Sequence, residues 1–324
     1  MTWRRFPLDG ALLLFDRVSG QNALCDGPET AHLRQRAPRA VQFGVTNRCN
    51  LACTFCSRDV AAASTWTAEE AFVLLAGLAE AGVLEVAFGG GEPFAFKGLD
   101  ELIVRLWEET PLAPSVTTNG LLLDEGRLRR LRGRIGQLRI SLYDDNEWRA
   151  TVARCAGHGV RFGVNYLVTP ARMATLEAVV LELVALGCAD VLLLSYNGHD
   201  RALHLAPGQA RDLAARVALL HRALGARVEL KLDVCWGERM ASVPRLFDRA
   251  DCGAGRDFIT ITSERRLQAC SFHHVEIPVG SAAEVMDVWR TSAALASPAR
   301  TPGCAREPGY GLTRVRLPTS SGAA

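Results

Sequence analysis

The chain has 324 residues, of which 48% are hydrophobic, 37 are lysine or arginine and 35 are aspartate or glutamate. A chain of this length can bury one large core, and α/β barrels often fold as a single unit of this size. The near balance of charge offers no basic patch for nucleic acid, and no apolar run reaches the roughly 18 residues that a membrane helix needs. Because no signal-peptide pattern follows Met1, we interpret the ten cysteines as reduced thiols or metal ligands of a cytoplasmic protein.

Residues 1–40 are predicted to form a small extension that precedes the main fold. The apolar runs Ala11–Phe15 and Asn22–Leu24 predict a hairpin with its turn near Gly20, and a short helix is expected around Thr30–Gln35. The edge of such a hairpin can bind an extended peptide as an additional strand.

Residues 41–226 alternate short apolar runs with amphipathic segments. Thr67 and Glu70 form a capping-box pattern at the start of the first amphipathic segment, and glycines follow several others. Six repeats of this alternation predict an α/β fold, a parallel sheet curled into a partial (β/α)6 TIM-like barrel that is open on one side. In such barrels the loops after the strands carry the chemistry. The predicted strands are Val41–Thr46, Leu84–Phe88, Ser115–Thr118, Gln137–Leu142, Arg161–Val168 and Val191–Tyr196, and the predicted helices include Ala68–Ala81, Leu99–Glu108, Leu123–Leu131, Met173–Leu186 and Pro207–Leu224.

Residues 227–310 depart from this alternation and are predicted to form a small cysteine-rich region, which residues 311–324 follow as a polar tail. A strand is expected at Arg227–Leu232. Phe258–Thr262 and Leu267–Cys270 are the predicted arms of a hairpin, with Ser263–Arg266 between them.

Three cysteines form a Cys-x3-Cys-x2-Cys motif on the loop after the first predicted strand. They are Cys49, Cys53 and Cys56. Thiolates are the ligands with which proteins hold iron–sulfur clusters. Three of them bind three irons of a [4Fe–4S] cube and leave the fourth iron open for chemistry, since no fourth cysteine lies close in the sequence. A structural zinc site would normally have all four ligand positions filled.

A glycine-rich motif, Gly-Gly-Gly-Glu-Pro at Gly89–Pro93, follows the second predicted strand. Glycines let a strand end approach a ligand closely, and the proline ends the strand. At this separation the two motifs resemble those of the radical SAM superfamily, and the resemblance covers roughly residues 41–200. It implies that the open iron binds S-adenosylmethionine (SAM), that one electron cleaves SAM to a 5′-deoxyadenosyl radical, and that this radical abstracts hydrogen from a substrate.

The same resemblance assigns roles to further residues around SAM. It implies that Phe55 lies beside the adenine and that Gly90, Gly91 and Glu92 meet the methionine ammonium group. These residues also have structural interpretations, Phe55 as a loop anchor and polar residues at strand ends as turn formers. The hydroxyl and amide residues that the resemblance implies at the SAM carboxylate and ribose are Thr118, Asn119, Ser141 and Asn165.

The remaining cysteines divide by their surroundings. Cys155 and Cys188 lie among alanines and leucines and are predicted to be buried hydrophobic residues, while Cys25 stands alone in the hairpin. The run from Cys252 to Cys270 resembles the auxiliary-cluster hairpin of the SPASM and twitch families, although Arg265 stands where those families usually have glycine. The resemblance implies one auxiliary [4Fe–4S] cluster; scattered structural cysteines and a four-cysteine zinc site are the alternatives. The implied ligands are Cys235, Cys252, Cys270 and Cys304.

The two resemblances favour an enzyme that modifies a ribosomally made precursor peptide, by a cross-link or another side-chain or backbone change. A separate leader-binding protein and an electron donor such as flavodoxin or ferredoxin are expected partners. The alternatives are a radical SAM dehydrogenase that acts on a small alcohol and a non-catalytic iron–sulfur or zinc scaffold. Spacing singles out no catalytic acid or base, since Asp144 and Asp145 are also typical of solvated, helix-capping loops.

Overall fold

The computed structural model describes residues 3–56, 58–143, 146–240 and 252–299, together with residues 301 and 304. It begins with a three-stranded antiparallel sheet of β1 (Arg4–Pro7), β2 (Ala11–Phe15) and β3 (Asn22–Asp26), in that order. The predicted hairpin is therefore present as β2 and β3, with β1 as an additional strand.

The helix predicted around Thr30–Gln35 is wrong. Pro28–Thr30 forms a single 3-10 turn instead. None of the side chains of residues 31–36 is buried, so a helix here would have no apolar face to pack against the rest of the protein, and short helices depend on such packing.

Six parallel strands separated by helices follow, as the alternation predicts. The capping box is present: Glu70 N donates to Thr67 Oγ1 (3.2 Å) and Thr67 N donates to Glu70 Oε2 (3.0 Å). No helix in the described ranges is both long and apolar enough to cross a membrane. The strands are β4 (Ala40–Thr46), β5 (Glu85–Gly90), β6 (Ala113–Thr118), β7 (Gln137–Ser141), β8 (Phe162–Val168) and β9 (Asp190–Ser195), and the helices are α1 (Ala68–Glu80), α2 (Leu99–Glu109), α3 (Glu125–Leu131), α4 (Trp148–His158), α5 (Leu176–Ala185) and α6 (Pro207–Leu224).

Later strands extend this sheet at both ends. β10 (Glu229–Leu232) pairs in parallel with β9, and β11 (Phe258–Ile261) pairs in parallel with β4. β12 (Arg266–Gln268) and β13 (Ile277–Pro278) continue antiparallel beyond β11, and α7 (Ala282–Thr291) follows. The sheet order is β10-β9-β8-β7-β6-β5-β4-β11-β12-β13, and its two ends do not pair with each other. The predicted open α/β barrel is confirmed.

Alternation along β4 separates the hydrophobic core from the barrel interior. Val41, Phe43 and Val45 are fully buried and belong to the core that includes the inner faces of the helices. Gln42 lies on the other face of the strand. Its Oε1 accepts hydrogen bonds from Thr260 Oγ1 (2.9 Å) and Ser271 Oγ (3.0 Å), which tie the cysteine-rich region to the first barrel strand.

The amino-terminal sheet lies at the end of the barrel where the strands begin. Phe6, Leu13 and Phe15 form a second buried cluster with Leu84, just before β5, and Ala113, the first residue of β6. The loops that follow the barrel strands lie at the opposite end of the barrel. The guanidinium groups of Arg4 and Arg17 fasten the sheet in place by donating to the carbonyls of Val83, Thr110, Pro111 and Leu112.

Candidate active site

The three motif cysteines line one cavity at the carboxyl-terminal end of the barrel strands. The cavity has a volume of about 350 Å³ and is also lined by residues at the ends of β5, β6 and β7. A neighbouring cavity of about 200 Å³ shares part of this lining and includes Asn165. The predicted site residues that line the larger cavity are Cys49, Cys53, Phe55, Cys56, Gly90, Gly91, Glu92, Thr118, Asn119 and Ser141.

Two glycines of the glycine-rich motif pack directly against the backbone of the cysteine loop. A Cβ on Gly90 would lie 2.2 Å from Thr46 O, and a Cβ on Gly91 would lie 2.2 Å from Arg48 O. Gly91 N donates to Thr46 O (2.7 Å), and Glu92 N donates to Arg48 O (2.8 Å). Only residues without a side chain allow this approach, so the glycines position the cysteine loop as well as lining the cavity.

The carboxylate of Glu92 connects the ends of β5 and β6. Its Oε1 accepts hydrogen bonds from Thr118 Oγ1 (2.8 Å) and Phe94 N (3.1 Å), and its Oε2 accepts one from Asn119 N (2.8 Å). Burial raises the pKa of Glu92 above its ordinary value, and these hydrogen bonds oppose the shift. A buried carboxylate needs such partners, and here they come from the protein.

Asn119 joins β6 to the cysteine loop. Its Nδ2 donates to Asn50 Oδ1 (2.8 Å), one residue after Cys49. Asn146, which is fully buried, donates from Nδ2 to Asn119 O (2.8 Å) and to Ser141 O (2.6 Å). Our sequence analysis did not identify Asn146; its only signal is its place in the polar run after β7.

An aromatic pair separates the two cavities. The ring of Phe55 lies 5.2 Å from the ring of Tyr143, and both side chains line both cavities. Loss of hydration raises the pKa of Tyr143 to about 12, with smaller contributions from Cys53, Cys56 and Cys49. Tyr143 is a second residue that our sequence analysis did not identify. It stays neutral and uncharged beside the thiol groups.

Arg58 places a positive charge beside the cysteine loop. Its side chain lines the larger cavity. Burial lowers the pKa of Arg58, and the negative charges of Cys56, Glu264 and Glu276 act in the opposite direction. A guanidinium remains protonated in proteins, so Arg58 keeps its positive charge at this wall of the cavity.

Two buried asparagines, Asn165 and Asn197, line the second cavity. The Oδ1 atom of each is buried and has no hydrogen-bond partner among the described residues. The Nδ2 atom of Asn197 donates to Ser195 O and Ser195 Oγ, both at 3.3 Å. Buried polar groups are normally paired, so these two oxygens are exceptions. Phe272, two residues after Cys270, also lines this cavity.

The four other candidate ligands come together from separate segments of the cysteine-rich region. Loss of hydration raises the pKa of the Cys235 thiol well above its ordinary value, and the charges of Asp233, Cys252, Cys270 and Cys304 add to the shift. These charges act on Cys235 because Cys252, Cys270 and Cys304 lie in its neighbourhood. None of the ten cysteines forms a disulfide bond.

The two cysteines that were predicted to be buried hydrophobic residues are buried. Cys155 and Cys188 are buried, and burial raises their thiol pKa values to about 12 and about 11. Cys25 is exposed on β3. Asp144 and Asp145 lie outside the described residues.

A family comparison agrees with this geometry. The model of the radical SAM superfamily matches residues 43–147, which contain both motifs and run from β4 to the residue before α4. The chain contains a radical SAM domain. The predicted family is thereby confirmed, and the chain is a radical SAM enzyme.

Named relatives and solved structures share features with this radical SAM enzyme. PqqA peptide cyclase of Gluconobacter oxydans is 28% identical over 271 residues, covering 74% of this chain and 71% of that protein. GTP 3′,8-cyclase of Chlorobaculum tepidum is 42% identical over 88 residues, 26% of each chain. SuiB of Streptococcus suis, solved with S-adenosylmethionine, has a TM-score of 0.72 at 14% identity, covering 91% of this chain and 89% of SuiB. Its complex with the precursor peptide SuiA has a TM-score of 0.71.

The residues at both sites fit the groups that the radical SAM family uses. Each iron of a cube takes its own thiolate, so the ligands of a cube lie apart. Among the described side chains, no three of His, Cys, Asp or Glu surround a single metal-ion position. The larger cavity offers thiols, main-chain groups of the glycine strand end and adjoining aromatic rings, a donor set suited to a cluster and SAM.

Proposed function

We propose that this radical SAM enzyme modifies a precursor peptide. The observation that carries the proposal is the alignment with PqqA peptide cyclase, because its 271 residues extend well beyond residues 43–147 of the family match. The complex of SuiB with a precursor peptide supports the same substrate class.

The architecture suits a long substrate. The sheet is open between β10 and β13, and the second cavity lies beside the thiol-lined cavity, with Phe272 of the cysteine-rich region in its lining. An extended chain can therefore enter from the open side and present one residue between the two groups of cysteines.

In this proposal Cys49, Cys53 and Cys56 hold a [4Fe–4S] cluster, and the strand end Gly90–Glu92 meets SAM. Once bound there, the cluster and SAM would supply the chemistry of hydrogen abstraction from the substrate. The protein supplies position and excludes water. The Phe55 side chain provides an apolar surface for the adenine.

Hydrogen bonds within the protein prepare this site before anything binds. Glu92 holds Thr118 and Asn119 at the end of β6, and Asn119 holds the cysteine loop through Asn50. Asn165 lines the adjoining second cavity, where its amide is placed to hydrogen-bond a hydroxyl or amino group of the ligand. Such preorganisation is the main contribution that a protein makes when a cofactor carries the reaction.

We further propose one auxiliary [4Fe–4S] cluster, with Cys235, Cys252, Cys270 and Cys304 as its ligands. The support is the electrostatic influence of Cys252, Cys270 and Cys304 on Cys235. An electron donor such as flavodoxin or ferredoxin and a leader-binding protein complete the proposed set of partners.

Two experiments test the proposal in sequence. Iron analysis of the anaerobically reconstituted protein should give about eight irons per chain, and about four after Cys49, Cys53 and Cys56 are all changed to alanine. That triple variant should also lose reductive cleavage of SAM to 5′-deoxyadenosine. Cleavage at the wild-type rate would refute the cluster assignment.

The substrate class is tested by isotope transfer. A precursor peptide encoded beside this protein and deuterated at candidate side-chain carbons should pass deuterium to 5′-deoxyadenosine. Transfer from a deuterated small alcohol, with none from the peptide, would replace the peptide proposal by the dehydrogenase alternative.

A further inference from the structure

One carboxylate joins the second cavity to the proposed auxiliary site. Asp233 directly follows β10 and precedes the 3-10 segment Val234–Met240, which carries Cys235. Its Oδ1 accepts hydrogen bonds from Cys235 N (3.0 Å) and Trp236 N (3.2 Å). The same side chain therefore fixes the main chain of a proposed cluster ligand.

The other oxygen of Asp233 fixes the wall of the second cavity. Asp233 Oδ2 accepts a hydrogen bond from Ser195 N (2.8 Å), and Ser195 Oγ lies 3.2 Å from Oδ1. Ser195 is buried at the end of β9. Through its own carbonyl and hydroxyl oxygens Ser195 accepts hydrogen bonds from Asn197 Nδ2 and so orients the Asn197 amide, a side chain of the cavity lining.

We propose that Asp233 is a positioning residue that couples loading of the auxiliary site to the shape of the second cavity. The inference rests on the auxiliary-cluster assignment made above. A cluster bound by Cys235 holds residues 234–240 in place, and that segment holds the Asp233 carboxylate through two main-chain N–H groups. The carboxylate then holds Ser195, which orients the Asn197 amide. Hydrogen bonds to a charged acceptor are stronger than neutral ones, so they transmit such constraints well.

Loss of the auxiliary cluster should loosen the wall of the second cavity. Without the cluster, the main chain of residues 234–240 is held less firmly, so the hydrogen bond from Ser195 N to Asp233 breaks more easily. The cavity wall at Ser195–Asn197 should then open more often, although no residue of this wall binds the auxiliary cluster itself.

Hydrogen–deuterium exchange resolved to single amides tests the coupling in the reconstituted full-length protein. Exchange of the Ser195 amide should be slow in the wild type and about tenfold faster in a Cys252→Ala, Cys270→Ala variant that lacks the auxiliary cluster. In the Asp233→Asn variant the Ser195 amide should exchange fast even with the cluster bound, and removal of the cluster should not accelerate this exchange further. Ser195→Ala, a milder change, should accelerate exchange at Asn197 and leave iron at about eight per chain.

Asp190→Asn is the matched control. Asp190 joins the same two strands at their other end, through Lys231 Nζ (2.7 Å). The Asp190→Asn substitution should leave hydrogen exchange of the Ser195 amide unaffected. Eight irons with Ser195 exchange independent of the auxiliary cluster would overturn the coupling alone. A wild type whose iron does not depend on Cys252 and Cys270 would overturn the auxiliary-cluster assignment and the coupling with it.

Discussion

Arg265 and Glu70 join the turn between β11 and β12 to the first turn of α1. Arg265 Nη2 lies 2.7 Å from Glu70 Oε1, and it also donates to Thr65 O (2.8 Å). The guanidinium lies 4.6 Å from the centroid of a Trp66 ring. Arg265 has φ +59°, the left-handed conformation that glycine adopts most easily. Contacts with α1 and the segment before it therefore hold an arginine where the related families usually have glycine.

Two substitutions separate the destabilisation by the left-handed backbone at Arg265 from the stabilisation by its side-chain contacts. Arg265→Gly and Arg265→Ala both lose the ion pair with Glu70 and the contact with Trp66. Only the alanine keeps a side chain in the left-handed conformation, so Arg265→Ala should be less stable than Arg265→Gly by about 1 kcal/mol. Urea unfolding measures the difference. Equal stability of the two variants would show that the turn changes its conformation when the arginine contacts are lost.

The same ion pair predicts a pH dependence. The hydrogen bond from Arg265, followed by those from Thr67, lowers the pKa of Glu70 from 4.5 to about 2. A carboxyl whose pKa is lower in the folded state stabilises the fold above the unfolded pKa and loses this effect as the pH falls. The difference in the free energy of unfolding between wild type and Glu70→Gln should be constant above pH 4.5 and shrink between pH 4.5 and 2.

The Arg265→Ala background provides the control for that measurement. Since Arg265 is the largest cause of the shift, the effect of Glu70→Gln should depend less on pH in this background. An unchanged pH dependence would assign the shift to Thr67 instead.

Gly91→Ala should displace the cysteine loop. The new Cβ would lie 2.2 Å from Arg48 O and 2.5 Å from Asn47 O, and main-chain atoms cannot move aside as a flexible side chain can. We expect loss of the first cluster's iron and of SAM cleavage. Gly89→Ala is the matched control, since a Cβ there meets no atom within 4 Å, and it should keep its full iron content. Normal iron in Gly91→Ala would contradict this account of the loop.

Deletion of the amino-terminal sheet is a poor test of whether the leader of a precursor peptide binds along β3. Deleting residues 1–24 would remove Phe6, Leu13 and Phe15 from a buried cluster, so loss of peptide binding could follow from unfolding. A leader on β3 must also reach from one end of the barrel to the other. β4 has 7 residues, so the linking segment must span about 23 Å at about 3.3 Å per residue.

Proline substitutions on β3 test strand addition without removing the sheet. Asp16 N donates to Gln21 O, and with the β2–β3 register this directs the N–H groups of Asn22 and Asp26 away from β2. Asn22→Pro and Asp26→Pro should weaken peptide binding, measured by fluorescence anisotropy, and leave substrate-free SAM cleavage unchanged. Asn22→Ala should bind normally. Full binding by both proline variants would place the leader elsewhere.

Local sequence patterns were sufficient to predict most strands and helices of the barrel. The apolar run at Val41–Thr46 predicted β4, and the Thr67–Glu70 capping box with the amphipathic segment after it predicted α1, each to within one residue at each end. The short helix near Thr30 failed because its pattern lacked a buried face to pack. α3 begins at Glu125 rather than Leu123, because Asp124 caps it by accepting a hydrogen bond from Arg127 N.

The sequence by itself determined the chemistry of this protein: the spacing of Cys49, Cys53 and Cys56 and the motif at Gly89–Pro93 are local patterns that follow strands, and parallel strands bring such loops together. Only the tertiary structure decided how these parts are held. The partners of Glu92, the contact of Asn119 with Asn50 and the link from Asp233 to Ser195 join residues far apart in the chain. No local spacing encodes such pairs, because they depend on which strands become neighbours and on which polar groups burial leaves in need of a partner.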